Sequence, residues 1–86
     1  MIIHTHRSFE KKYLKLQAKL QDKFRERRDL FIDYQFHPLL DNHALHGEWQ
    51  GYRSINVTGD FRAVFKQENN IVTFVDIDTH HKLYGT

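Results

Sequence analysis

The stretch RSINVTGDFRAVFKQENNIVTFVDID, residues 53–78, alternates in side-chain character and is interrupted twice by turn-forming residues. Arg53, Ile55 and Val57 fall on one side and Ser54 and Asn56 on the other. Phe61, Ala63 and Phe65 then alternate with Arg62, Val64 and Lys66, the period-two pattern of strands with one buried face. Thr58-Gly59-Asp60 supplies turn chemistry between the first two runs. Asn69-Asn70 suits a tight hairpin, because asparagine tolerates a positive φ, and a third strand follows from Ile71 to Asp78. Three consecutive antiparallel strands, a β-meander, are expected.

Upstream of this stretch the period changes. Residues 39–51, LLDNHALHGEWQG, mix glycine, polar groups and large apolar anchors without a period and read as an ordered loop. Phe9, Tyr13, Leu16, Leu20 and Phe24 recur at spacings of three and four, and Leu30, Phe31 and Tyr34 extend the stripe, as when one helix face packs on a sheet. With no glycine or proline in residues 8–37, the pattern fits either one helix of about 40 Å or two in a hairpin. A domain this small favours the hairpin, broken near Ala18 to Asp22. Ser8 is placed to cap its start. His37-Pro38 closes the helical region, since the residue before proline disfavours helical geometry. The opening MIIHTH, rich in β-branched residues, reads as a short first strand. The expected fold class is α+β: an N-terminal strand, a helical hairpin, then a three-stranded antiparallel β-meander, in two layers.

Eighty-six residues with 40% apolar content give room for one domain, residues 1–86, and one modest core. Without cysteine there is neither a disulfide framework nor a thiolate nucleophile, which suits a reducing compartment. The start MIIHTHRSFEKK has no apolar stretch of the signal-peptide kind, and no apolar run approaches the roughly 18 residues of a membrane span. A cytoplasmic protein with no membrane partner is expected. Net charge is only +2, yet residues 1–37 hold most of the cations, from Arg7 to Arg28. Such a run is the solvated face of an amphipathic helix, and it also suits an anionic partner.

The C-terminal residues DTHHKLYGT, 78–86, are more than a packed core needs. Together with HPLLDNHALHGEWQGYR (residues 37–53) and the acid-bearing turn TGDF (58–61), they resemble the RelE/ParE toxin superfamily, specifically its YafQ-like branch. The motif His-x-Leu-x-Gly-x-Trp-x-Gly-Tyr-Arg is met by His43, Leu45, Gly47, Trp49, Gly51, Tyr52 and Arg53. Thr79, His80, Leu83 and Tyr84 supply a terminal Thr-His-x-x-Leu-aromatic. The resemblance implies a RelE-like two-layer sandwich acting as the toxin of a type II toxin–antitoxin system. The implied activity is that of a ribosome-dependent endoribonuclease cutting messenger RNA in the decoding site. Its implied partners are a cognate antitoxin protein and that messenger RNA, with operator DNA bound only through the antitoxin complex.

On this resemblance His43, Asp60 and His80 occupy the positions used for cleavage, with Phe61 and Tyr84 at aromatic positions beside them. The residue types suit the chemistry. Cutting RNA without a metal or other cofactor requires taking a proton from a 2′-OH and giving one to the departing 5′ oxygen, and imidazole titrates in the right range. Arg53 and Arg62 suit a phosphate whose charge grows in the transition state, and Trp49, Phe61 or Tyr84 suit stacking on a splayed base. One position departs from the pattern. Asn56 stands where the family has another histidine; an amide hydrogen-bonds phosphate or a 2′-OH but cannot transfer protons there. His46 is a candidate substitute from the loop.

Blander readings compete at each residue. His43 with His46, or His80 with His81, read alternatively as zinc ligands, but structural zinc sites usually bring cysteine. His4, His6 and His37 read as surface or satisfied histidines, and Asp60 alternatively as only the cap of its turn. Two rival functions remain: a ParE-like toxin that poisons gyrase through protein contacts, and a cleavage-deficient toxin fold that keeps antitoxin binding.

Overall fold

The computed structural model describes residues 1–85; Thr86, the last residue of the expected domain, lies outside the described residues. In chain order the elements are β1 (Ile2–Thr5), α1 (Arg7–Lys15), α2 (Ala18–Asp33), β2 (His43–Ala44), β3 (Arg53–Asn56), β4 (Phe61–Glu68), β5 (Ile71–Thr79) and α3 (His80–Tyr84). Short 3-10 turns cover Pro38–Leu40 and Gly47–Trp49. The sheet order is β1-β5-β4-β3-β2, with β1 parallel to β5 and the other pairs antiparallel. The expected strand, helical hairpin and meander are all present. The sheet gains a fifth strand because His43 and Ala44, read as loop, pair with Ser54 and Arg53.

The helical hairpin breaks at Leu16 and Gln17, just before the expected position, where both residues turn extended. A reciprocal pair of hydrogen bonds closes the corner: the Tyr13 hydroxyl donates to the Gln21 carbonyl at 3.2 Å, and Gln21 Nε2 donates to the Tyr13 carbonyl at 2.9 Å. The N-cap of α1 is His6 rather than Ser8, with Nδ1 of His6 accepting from the Ser8 amide. The Ser8 hydroxyl instead reaches across to the Val75 carbonyl at 2.7 Å, tying α1 to β5. The apolar stripe is buried at Phe9, Phe24 and Phe31 but runs out at Tyr34, which ends α2 exposed.

Phenylalanines form the centre of the core. Phe9 and Phe24 lie 5.0 Å apart, Phe24 and Phe74 5.2 Å, Phe65 and Phe74 5.5 Å, and Phe31 and Phe65 5.1 Å between ring centroids. These tilted and edge-on arrangements suit the aromatic quadrupole, and each buried ring stabilises the fold by about 1.5–3 kcal/mol. Ile55, Val57, Ala63, Val72 and Ile77 complete the cluster under the helices. Along β5 the inward residues are Val72, Phe74 and then Ile77, a change of phase produced by an extra residue opposite Val64 and Phe65. With strict alternation Asp76 and Asp78 would share the core face with Phe74. The bulge turns both out to the other side.

Asn69 and Asn70 form the two-residue hairpin, Asn69 with φ +56°. Among the described residues no helix is long and apolar enough to cross a membrane.

Candidate active site

The face of the sheet away from α2 carries two successive rows set by strand register. His43, Ser54, Val64 and Asp76 make the first; Asn56, Arg62 and Asp78 make the second. Beyond them, at the end of the sheet, the turn before β4 meets the start of α3, where the backbone amide of His80 donates to the Asp60 carbonyl at 2.9 Å. Two segments distant in sequence, TGDF and THHKLYG, are thereby fastened side by side.

Local chemistry shapes each segment. In the turn, Thr58 Oγ1 accepts from the amides of Asp60 and Phe61 at 3.2 and 3.0 Å. The Thr58 hydroxyl, and not the Asp60 carboxylate, therefore satisfies the turn. Arg62 folds over the same turn, its Nη1 donating to the carbonyls of Thr58, Gly59 and Phe61 at 3.0–3.2 Å. In α3, Thr79 Oγ1 caps the helix by accepting from the Lys82 amide, and Gly85 ends it with φ +71°. That single turn brings the Tyr84 ring edge-on to His80, with centroids 4.7 Å apart.

His43 sits on the edge strand, exposed, with Nδ1 2.7 Å from the Asp41 carbonyl. A carbonyl only accepts, so Nδ1 carries the proton and Nε2 keeps its lone pair in the neutral ring. Asn56 is half-buried in the second row, and its Oδ1 is enclosed without a hydrogen-bond partner among the described residues. The Ser54 hydroxyl and the Tyr84 hydroxyl are enclosed in the same way.

Two of the residues singled out from sequence lie elsewhere. Arg53 pairs with Phe65 on the helix-facing side, opposite to Arg62. There its Nε donates to Asn42 Oδ1 at 2.9 Å and its guanidinium lies over the Phe36 ring. Phe61 packs against the core from beside Asp60. Asp60, His80 and Tyr84 converge at the sheet end, Asn56 and Arg62 adjoin them one row back, and His43 stands at the edge of the same face.

The sequence reading missed a clamp behind this site. Lys12 of α1 lies 2.8 Å from Asp76 and 3.1 Å from Asp78. Burial opposes charge on Lys12, but hydrogen bonds to the two aspartates outweigh it and hold its pKa above the ordinary lysine value. Burial likewise works against ionised Asp78, yet the Thr79 amide, Lys12 and Lys82 together keep its pKa below the ordinary carboxylate value. Trp49 provides a second tie, with Nε1 donating to the Leu83 carbonyl at 3.1 Å. Trp49 was visible in its motif. Asp76 and Asp78 were concealed by the bulge.

A family model described as "Bacterial toxin of type II toxin-antitoxin system, YafQ" matches residues 1–85. Among solved structures, YafQ from E. coli strain BL21(DE3) is 25% identical with a TM-score of 0.79, the match covering 96% of this chain and 97% of that one. A chain of the E. coli DinJ-YafQ complex is 26% identical with a TM-score of 0.76, covering 96% and 97%. A YoeB/ParE toxin from Agrobacterium tumefaciens, 19% identical over 93% of this chain and 99% of its own, has a TM-score of 0.75 and shares the fold. No curated protein matches by sequence.

Proposed function

The chain belongs to the YafQ family of toxins from type II toxin–antitoxin systems, and from that premise we propose that it is a ribosome-dependent endoribonuclease that cuts messenger RNA in the decoding site and so stops translation. The observation that carries the reading is the junction of Asp60 with His80, reinforced by the Tyr84 ring against the His80 imidazole. An exposed imidazole, an exposed carboxylate and an aromatic face meet at one end of the sheet.

In the proposed reaction the 2′-OH attacks the adjacent phosphorus, the bond to the 5′ oxygen breaks, and the products are a 2′,3′-cyclic phosphate and a free 5′-OH. One histidine accepts the 2′-OH proton and the other protonates the leaving oxygen. Attacking and leaving oxygens lie roughly in line in phosphoryl transfer, so acid and base approach from opposite sides, a division that suits His43 at the edge and His80 at the end. Asp60, fastened beside His80 through its backbone carbonyl, supplies the carboxylate of the set. Arg62 stabilises charge on the phosphate. Asn56 hydrogen-bonds phosphate or ribose, and Tyr84 supplies aromatic surface for an unstacked base, while Phe61, packed against the core, backs the turn. Arg53, held on the far face, serves the loop around Asn42. No cofactor enters these steps.

The family's antitoxin-bound member from E. coli supports a cognate antitoxin as partner, and the cationic helices offer an acidic segment complementary charge. Operator DNA would be reached only through that complex. Asn56 favours a second reading, a toxin fold that binds antitoxin without cutting.

Inducing the chain in bacteria should arrest growth, with primer extension placing messenger cuts at codon positions on translating ribosomes and antitoxin co-expression restoring growth. Arrest with double-strand DNA breaks and intact messages would transfer the assignment to gyrase. A co-purifying antitoxin with neither arrest nor cuts would favour the cleavage-deficient reading.

A further inference from the structure

Arg62 and Asp78 are register partners on β4 and β5, with their side chains on one face of the sheet, and such cross-strand partners stand close enough for opposite charges to pair. They do not pair. Among the described residues the Arg62 guanidinium forms no ion pair, and its Nη1 donates instead to the uncharged carbonyls of Thr58, Gly59 and Phe61. Asp78 is engaged at both oxygens: Oδ1 accepts from the Thr79 amide at 2.8 Å, and Oδ2 lies 3.1 Å from Lys12 Nζ. Lys12 also holds Asp76 at 2.8 Å. Each of these carboxylate side chains is only 19% exposed, so its charge is balanced by the protein's cations rather than by water. Burial opposes ionised Asp78, and the groups that nevertheless keep its pKa low are the Thr79 amide, Lys12 and Lys82, with no part taken by Arg62.

We infer that Lys12 is a positioning residue for the proposed phosphate site: by holding Asp76 and Asp78 from α1, it keeps Asp78 from capturing Arg62 and leaves that guanidinium unneutralised for substrate. The inference rests on the ribonuclease reading, in which Arg62 meets the phosphate, and adds a residue that never touches it. A guanidinium forked onto a carboxylate has its donors spent, and the carboxylate beside it repels an approaching phosphate. Lys12 prevents both. With Lys12 in place two cations face two carboxylates across these strands; without it the carboxylates outnumber Arg62. Arg62 stands in register with Asp78 and has no carboxylate of its own, so it is the cation that Asp78 takes when Lys12 is removed.

The test compares single-turnover cleavage of ribosome-bound messages by the wild type, by Lys12→Met, which removes the charge and keeps an unbranched apolar stem, and by Lys12→Met combined with either Asp78→Asn or Asp76→Asn. Lys12→Met should slow cleavage by about tenfold or more, a part of the roughly 10²–10³-fold that loss of a transition-state donor costs. Adding Asp78→Asn should restore the rate to within about threefold of wild type, because the two changes act through one interaction. Adding Asp76→Asn restores the same net charge but leaves Asp78 free to take Arg62, so the rate should stay low. A purely structural clamp would not be mended by removing its second partner. The Arg62 Nε–H proton signal, identified by its absence from Arg62→Ala, reads the capture without reference to cleavage. It should move downfield in Lys12→Met, since a charge-assisted hydrogen bond deshields the proton, and return when Asp78→Asn is added. An unmoved Arg62 signal, a Lys12→Met protein that cuts as fast as a cutting wild type, or equal recovery by the two double variants overturns the inference. The signal moving as expected in a protein that cuts no message would defeat the ribonuclease reading and leave the hold of Lys12 on Asp78 standing.

Discussion

His6 and His37 each commit Nδ1 to a helix start, accepting from the Ser8 and Leu39 amides at 3.1 Å, whereas His43 directs Nδ1 to the Asp41 carbonyl and His80 lies edge-on to the Tyr84 ring. Residue type alone does not separate these histidines; the groups around them do. The same logic gives Asn56 a testable role. Among the described residues its Oδ1 is enclosed without a partner, in the row next to the turn that carries Asp60, so Asn56→His places a proton-transferring group where the family pattern has one. Cleavage in a reconstituted ribosome assay should rise, by up to about 10²-fold, the scale of one acid/base group. An unchanged rate would mean that His43 and His80 already supply all the proton transfer the reaction uses.

At the scale of elements, α1 is held to β5 by Lys12, and the two pKa shifts give the clamp a pH window. Lys12, raised above 10.5 in the folded state, contributes stability that is complete below that value and lost as pH rises through the folded pKa. Asp78, lowered below 3.8, contributes stability that is present above that value and lost as pH falls through its folded pKa. Lys12→Ala should therefore lower unfolding free energy by less than about 1 kcal/mol near neutrality, since the lysine is substantially exposed. The difference should vanish in acid, below the folded pKa of Asp78. Urea denaturation across that range checks it, and a gap that persists in acid would show that the loss is packing rather than charge. The meander and the hairpin were legible in the sequence because one face of each is buried and their periods are local. The fifth strand, the bulge and the Lys12 clamp were not. Two residues are too short to show a period, and a bulge is a relation between strands that neither strand displays alone. Within the site, the motifs named Asp60, His80 and Tyr84, and the alternation already set Arg53 with Ile55 and Val57 and Arg62 opposite Phe61, the two faces on which the register places them.

At the scale of the whole molecule, an aromatic core under two helices fixes the sheet, and ties from Asp60 and from Trp49 hold α3 at the sheet's end, where the proposed chemistry is placed. Cleavage then depends on whether the His80 imidazole that this arrangement displays acts as an acid or base. The direct measurement is His80→Ala against His4→Ala, an exposed histidine on β1 remote in register from the site, comparing rates on ribosome-bound messenger RNA and thermal unfolding on the same preparations. The account predicts a loss of roughly 10²-fold or more for His80→Ala, none for His4→Ala, and little change in melting temperature for either. Equal cleavage by two equally stable variants would contradict it, leaving His80 a structural residue at the start of α3.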